Sequence, residues 1–288
     1  MKVEVNQVSK VYKRKPALDQ LTFTLDEPKI YGLLGRNGAG KTTIMQLLNG
    51  LMKPSSGEIK INGENPFDNQ KIMESICLIS EGNNFKKDLK VKDVLHISSL
   101  FYPTWDKELT VQLIKEFNLD PDSKVKTLSK GMESALGIIV GLASQAPITI
   151  FDEPYIGLDA SSRSRFYELL VEQYEENRRM IIFSTHLIDE VSALFEEVLI
   201  MNDGKLLVQE ETDNLRERCY SISGQKEKVE IYIEGKQVIH QETFVGEMTA
   251  VILGDQKKVA RDQEFIVESV PIQQAMIYLT DRKEEMKK

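Results

Sequence analysis

The run Gly35-Arg36-Asn37-Gly38-Ala39-Gly40-Lys41-Thr42 constrains this chain more than any other segment. It fits G-x-x-x-x-G-K-[ST], where glycines turn the backbone tightly and aim several N–H groups at one anion. The apolar Ile30-Tyr31-Gly32-Leu33-Leu34 before it predicts a buried strand, and Thr42 through Leu51 predicts a helix ending near Gly50 and Pro54. Strand, loop and helix in that order point to an α/β nucleotide-binding fold, with the helix N-terminus placing partial positive charge under the phosphates; on its own the loop would fit many NTPases and kinases. The implied ligand is a nucleoside triphosphate. Gly35, Asn37, Gly38, Ala39, Gly40, Lys41, Thr42 and Thr43 are the expected contacts. Lys41 has the length to reach the β/γ-phosphates, and the Thr42 hydroxyl suits Mg²⁺.

Downstream, Ile148-Thr149-Ile150-Phe151 is a short apolar run that predicts a central parallel strand. Asp152 at its end is placed to hold Mg²⁺ through water. Strand alternation alone would turn Glu153 the other way, but a chain already turning at a strand end can face it to the phosphate. There a carboxylate accepts a proton from attacking water, the work of a general base. Two solvated acids at a strand end are the alternative, and the phosphate loop upstream favours the catalytic reading.

Between the loop and the acid pair stands Leu128-Ser129-Lys130-Gly131-Met132. After the pair come Pro154-Tyr155-Ile156-Gly157-Leu158-Asp159 and Ser184-Thr185-His186. In this order the motifs resemble those of the ATP-binding subunits of ABC transporters: a signature usually written LSGGQ, a D-loop and a switch histidine. Tyr12 stands where that family places an aromatic on adenine. The resemblance covers roughly residues 1–212. It implies an ABC-type ATPase core with antiparallel β and helical subdomains, ATP and Mg²⁺ as ligands, and hydrolysis as the activity. It also implies that two subunits sandwich two ATP molecules. Ser129 and the Gly131 N–H would then bind the γ-phosphate in trans, at the start of a helix over 132–145. His186 would contact it in cis, and Asp159 would communicate across the dimer. The implied catalytic set is Glu153, His186 and Lys41, and the implied metal set Thr42, Asp152 and Glu81.

The sequence departs from the family pattern twice. Glu81 follows Ile76-Cys77-Leu78-Ile79-Ser80, where the family usually carries Gln. Glu keeps a ligating oxygen but adds negative charge near the triphosphate and Glu153, which weakens nucleotide binding or raises the carboxyl pKa. The bland alternative is an alignment slip or a Glu81 that points away. In the signature, Lys130 replaces Gly, and Met132 and Glu133 replace the usual polar and basic pair. A lysine near a γ-phosphate helps electrostatically, and Glu133 suits the first turn of a helix.

The chain has 288 residues, enough for one large or two modest domains, and carries 45 acids against 37 bases for a net charge of −8. No basic tail is present, which argues against nucleic acid as the main partner. Two cysteines, Cys77 and Cys219, make no disulfide framework, and no Cys/His cluster suggests zinc. The start, Met1-Lys2-Val3-Glu4-Val5, does not read as a signal peptide. The longest apolar stretch, Ala135 to Phe151, is broken and too short to span a membrane. A cytoplasmic location is expected, at the inner face of the cell membrane if the chain serves a transporter.

Residues 2–30 alternate as antiparallel strands do, and about 83–145 read as a helical insert interrupted at Tyr102-Pro103-Thr104-Trp105-Asp106. Asn83-Asn84-Phe85-Lys86-Lys87 lies where the family docks its membrane partner, or is simply a surface loop. The ATPase domain is expected over 1–212 and a small accessory α+β domain over 213–288. In the latter, Val229-Glu230-Ile231-Tyr232-Ile233 alternates as strands do, as do pieces of 248–253 and 264–268. Ile272 to Leu279 reads as a closing helix behind Pro271.

The variant signature and short C-terminal extension are most similar to ATPases of bacitracin-type or amphipathic antimicrobial-peptide exporters. That implies a separate transmembrane subunit, a homodimer or a heterodimer with a related ATPase, and membrane-active peptides or drugs as cargo. A soluble ABC-type ATPase, such as a cluster-assembly subunit, or a weakly active regulatory ATPase are the alternatives. Translation factors of this type carry two cassettes, and repair ATPases carry long heptad coiled coils; neither is found here.

Overall fold

The computed structural model describes residues 1–82, 84–254 and 265–285. Its centre is a six-stranded sheet in the order Ile76–Ile79, Ile148–Asp152, Met180–Ser184, Ile30–Gly35, Glu197–Asn202, Lys205–Glu211. The first five strands are mutually parallel, and Lys205–Glu211 closes the edge antiparallel to its neighbour. Ile30–Gly35, Ile148–Asp152 and Met180–Ser184 are almost wholly apolar and buried at every position. Such strands need both faces covered, as parallel sheets have. All three carboxyl ends fall on one side of the sheet, so Gly35, Asp152 and Ser184 lead into loops that meet there. Open α/β sheets bind ligands on that side.

A second sheet, Lys15–Leu25, Val3–Tyr12 and Ser56–Ile61, is antiparallel throughout. It matches the alternation of residues 2–30, with Val3, Val5 and Val8 buried on one face. The helical region holds Val91–Phe101, Lys107–Glu116 and Lys130–Ala143. The last begins two residues earlier than the expected 132–145, because the Ser129 side chain caps it by accepting the Met132 N–H at 3.2 Å. Its second half, from Ala135 to Ala143, is buried. Among the described residues, no helix is long and apolar enough to cross a membrane.

After the helix Thr212–Arg218 comes a four-stranded antiparallel sheet in the order Val238–Phe244, Glu247–Leu253, Cys219–Gln225, Ile266–Ser269. The expected strand at 229–233 is instead part of a helix, Lys226–Ile233. Val229 is buried, Tyr232 and Ile233 pack beside it against Tyr220 and Ile222, and Ile231 is 74% exposed. The apolar positions that matter are therefore i, i+3 and i+4, one face of a helix. A five-residue run satisfies both periods. The two other alternating pieces are strands, and residue 264 lies outside the described residues.

The closing helix, Ile272–Glu285, begins directly after Pro271. It packs back onto Ile30–Gly35 and Glu197–Asn202. Asn202 donates through Nδ2 to the Thr280 carbonyl at 3.2 Å, and Arg36 of the phosphate loop pairs with Asp281. The C-terminal region thus touches the loop that the sequence singles out.

Candidate active site

The phosphate loop is held open by backbone conformation. Gly40 caps the helix Lys41–Leu48 with φ 103°, and a Cβ there would sit 2.6 Å from the Ala17 carbonyl oxygen. Only glycine meets both demands. Lys41 turns back into its own loop, its Nζ donating to the Gly35 carbonyl at 2.7 Å. Burial pushes its pKa below the ordinary lysine value, while Glu153 and Asp152 pull the other way. A cation so desolvated gains from an anion placed beside it.

Thr42 and Asp152 are brought together directly: the threonine hydroxyl donates to Asp152 Oδ2 at 2.7 Å. The other carboxylate oxygen, Oδ1, accepts from the Ser184 hydroxyl at 2.7 Å. Ser184 lies in the quoted Ser184-Thr185-His186 motif, but its bond to Asp152 depends on two strands being neighbours in register. Hydroxyl and carboxylate oxygens beside a triphosphate site are the hard donors that Mg²⁺ takes, in small number and with water completing the shell. The residues present fit that ion.

Glu153 has φ 52°, a left-handed backbone just past the strand end. This conformation overrides strand alternation and turns Glu153 to the same cleft as Asp152. A non-glycine residue pays about 1 kcal/mol or more for it, and such strain gathers at functional sites. Glu153 Oε2 lies 2.7 Å from His186 Nδ1 and 2.5 Å from the Tyr155 hydroxyl. The rings of Phe151, Phe166 and Phe183 pack beneath, with centroids 5.5 to 6.1 Å apart. They anchor the strand ends that carry Asp152 and Ser184.

Tyr12, Asn37, Gly38, Ala39, Gly40, Lys41, Thr42, Thr43, Glu81, Asp152 and Glu153 all line one cleft of about 1360 Å³. Gly35 does not line it, although its carbonyl accepts from Lys41 Nζ. Tyr12 is 42% exposed at the rim, its hydroxyl 3.1 Å from Met52 Sδ. Glu81 faces the cleft, and its carboxylate lies 3.8 Å from Lys130 Nζ. The two departures from the family pattern therefore meet, as opposite charges.

Ser129 and Gly131 do not line the cleft, although Lys130 between them does. Gly131 has a packing role: a Cβ there would come within 2.4 Å of the Gly157 carbonyl oxygen. Asp159 caps the helix Ala160–Glu176, accepting the Ser162 N–H at 2.8 Å. Sequence reasoning passed over Ser184 and Thr185 as chemistry and gave Tyr155 no role. No local pattern distinguishes a site hydroxyl from a surface one.

Residues 18–156 match the ABC transporter family. The chain is similar to the bacitracin transport ATP-binding protein BcrA of Bacillus licheniformis, 34% identical over 219 residues, 75% of this chain and 72% of that protein. It is also similar to the ABC transporter ATP-binding protein YtrB of Bacillus subtilis, 26% identical over 220 residues, 76% of this chain and 75% of that one. Among solved structures, the ATP-binding subunit of an ABC transporter superposes with a TM-score of 0.68 at 27% identity, covering 75% of this chain and 92% of that one. The cassette MJ0796, solved as a dimer bound to ADP and Pi, has the same fold at 23% identity and a TM-score of 0.65, covering 73% of this chain and 98% of that one. The chain therefore belongs to the ABC transporter ATP-binding proteins, cassettes of the P-loop NTPase fold that bind ATP with Mg²⁺ and hydrolyse it.

Proposed function

We propose that this ATP-binding subunit powers the export of membrane-active or antimicrobial peptides, or drugs of similar character, by driving a separate transmembrane subunit at the inner face of the cell membrane. The observation that carries this reading is the likeness to a bacitracin transport ATP-binding protein across most of both chains.

In the proposed cycle, the loop from Gly35 to Thr43 cradles the phosphates, with Lys41 as the cation and Tyr12 at the adenine end. Thr42 and Asp152 would hold Mg²⁺, which would supply positive charge against the phosphates, and Glu81, on the lining of the same cleft, would be a further oxygen donor. Glu153 takes the proton of the attacking water. His186, bonded to Glu153 through Nδ1, orients the γ-phosphate side of the site. Ser129 and Gly131 lie outside their own chain's cleft, which favours their acting on nucleotide held by a second subunit, either a copy of this chain or a related one. Residues 213–288 act as an accessory unit whose closing helix reaches the loop through Asp281 and Arg36. The segment from Asn84 to Lys87 is the proposed contact for the transmembrane subunit; Asn83 lies outside the described residues.

Purification of the chain from its own cell membranes in mild detergent tests the assignment. A multi-span membrane protein in stable ratio is expected. Recovery with soluble proteins alone would overturn the transporter reading. Glu153→Gln tests the chemistry: it is expected to keep ATP binding and lose hydrolysis, and hydrolysis at the parent rate would remove Glu153 as the base.

A further inference from the structure

One buried phenol beside the acid pair is not used by this cycle. Tyr155 is 2% exposed, and its ring stacks on Phe183 with centroids 6.3 Å apart at 18°. Phenylalanine would fill that place as well, so packing does not account for the hydroxyl.

The hydroxyl is a junction. It lies 2.5 Å from Glu153 Oε2, 2.6 Å from Thr185 Oγ1 and 3.3 Å from the His186 backbone nitrogen. His186 Nδ1 is more distant, at 3.4 Å. A phenol has one proton and two acceptor positions. An ionised carboxylate only accepts, so the phenol proton goes to Glu153. The Thr185 hydroxyl must then donate to Tyr155, and it accepts the Leu187 N–H at 2.8 Å in turn. The His186 N–H occupies the remaining acceptor position. Every proton in this chain of bonds has one assignment.

Two donors, the phenol and His186 Nδ1, thus converge on one carboxylate oxygen. A free glutamate carboxylate rotates broadly about its last torsion; here that rotation is stopped. We propose that Tyr155 is a positioning residue for hydrolysis, fixing Oε2 so that Oε1 is the oxygen that takes the proton of the attacking water, and tying the His186 backbone to the same point. The proposal rests on Glu153 being the base. Burial, reinforced by Glu153, holds the phenol well above the usual tyrosine range.

Tyr155→Phe in the full chain tests this. The expected result is a kcat lower by about 10-fold or more, the effect of one hydrogen bond to a charged group, with KM and ATP affinity unchanged. Thr185→Val, which removes the donor that orients the phenol, is expected to lower kcat less, again without change in KM. A parent kcat in Tyr155→Phe overturns the proposal. So does a loss of ATP affinity in step with kcat, in either variant. If Tyr155→Phe does not fold, a parent kcat in Thr185→Val overturns it. Glu153→Gln measured alongside separates the two levels. If that variant is inactive while Tyr155→Phe is normal, only the role of Tyr155 fails. If it hydrolyses like the parent, the base assignment fails first.

Discussion

Replacing Ser184 by alanine tests how the site holds Mg²⁺. Asp152 is 5% exposed, and its carboxylate is held by two hydroxyls, Thr42 on Oδ2 and Ser184 on Oδ1, each at 2.7 Å. Thr42 is the one expected to turn its oxygen to the metal, which leaves Ser184 as the fixed orienting donor. Ser184 is completely buried, so solvent does not readily replace it. A hydrogen bond to a charged group contributes about 1.5–3 kcal/mol. At about 1.4 kcal/mol per decade, that is roughly 10- to 150-fold in an equilibrium constant. Removing an outer partner of a metal ligand costs about 10- to 100-fold in metal affinity, which agrees. Ser184→Ala should therefore raise the Mg²⁺ concentration for half-maximal ATP hydrolysis by about 10-fold or more. The assay is hydrolysis against Mg²⁺ at saturating ATP, with a thermal melt to show that the variant is folded. A folded variant with the parent's Mg²⁺ requirement would refute the reasoning, because Asp152 would then need no orienting donor or would not hold the metal.

Glu81→Gln should tighten ATP binding, but by no more than about fivefold, because solvent-exposed charge interactions reach no further and Lys130 already stands 3.8 Å away. Unchanged or weaker affinity in a nucleotide titration would refute the reading that the Glu81 charge weakens ATP binding. Gly131→Ala should cost about 1–3 kcal/mol by overpacking, since its Cβ would meet the Gly157 carbonyl at 2.4 Å; a melting temperature equal to the parent's would show that the loop yields freely. Burial lifts the Cys219 thiol from its ordinary 9.0 to about 11. The unfolded chain loses that proton first, so the contribution to stability is full below pH 9 and is lost as pH rises to about 11. Parent and Cys219→Ala melts compared at pH 8 and pH 10.5 should show the smaller alkaline loss in the variant, and equal losses would argue against it.

The phosphate loop with its strand and helix, and Asp152 at the end of an apolar run, are legible in the sequence because each is set by neighbours within a few residues. Glycine spacing decides where the backbone turns, and unbroken apolar runs decide which strands are buried on both faces. The order of the motifs also identifies the family. The five-residue run Val229–Ile233 shows where this kind of reading stops. Its alternation fits a strand and a helix equally, and the sheet beneath it selected the helix by offering one face to Val229, Tyr232 and Ile233.

The active site divides in the same way. Which residues are proposed to carry the chemistry followed from their types, their order and the family resemblance: Lys41, Thr42, Asp152, Glu153 and His186. How they are held did not. The positive φ of Glu153 reversed the direction that strand alternation would give it. The bonds from Ser184 to Asp152 and from Tyr155 to Glu153, the meeting of Glu81 with Lys130, and the pairing of Asp281 with Arg36 join groups from separate elements. A side-chain hydrogen bond acts over about 3 Å, and sequence does not encode distances between elements. The sequence by itself determined the class of fold and the inventory of reactive groups, through local propensity and motif. The tertiary structure decided their orientation, because only sheet order and packing bring distant residues within bonding range.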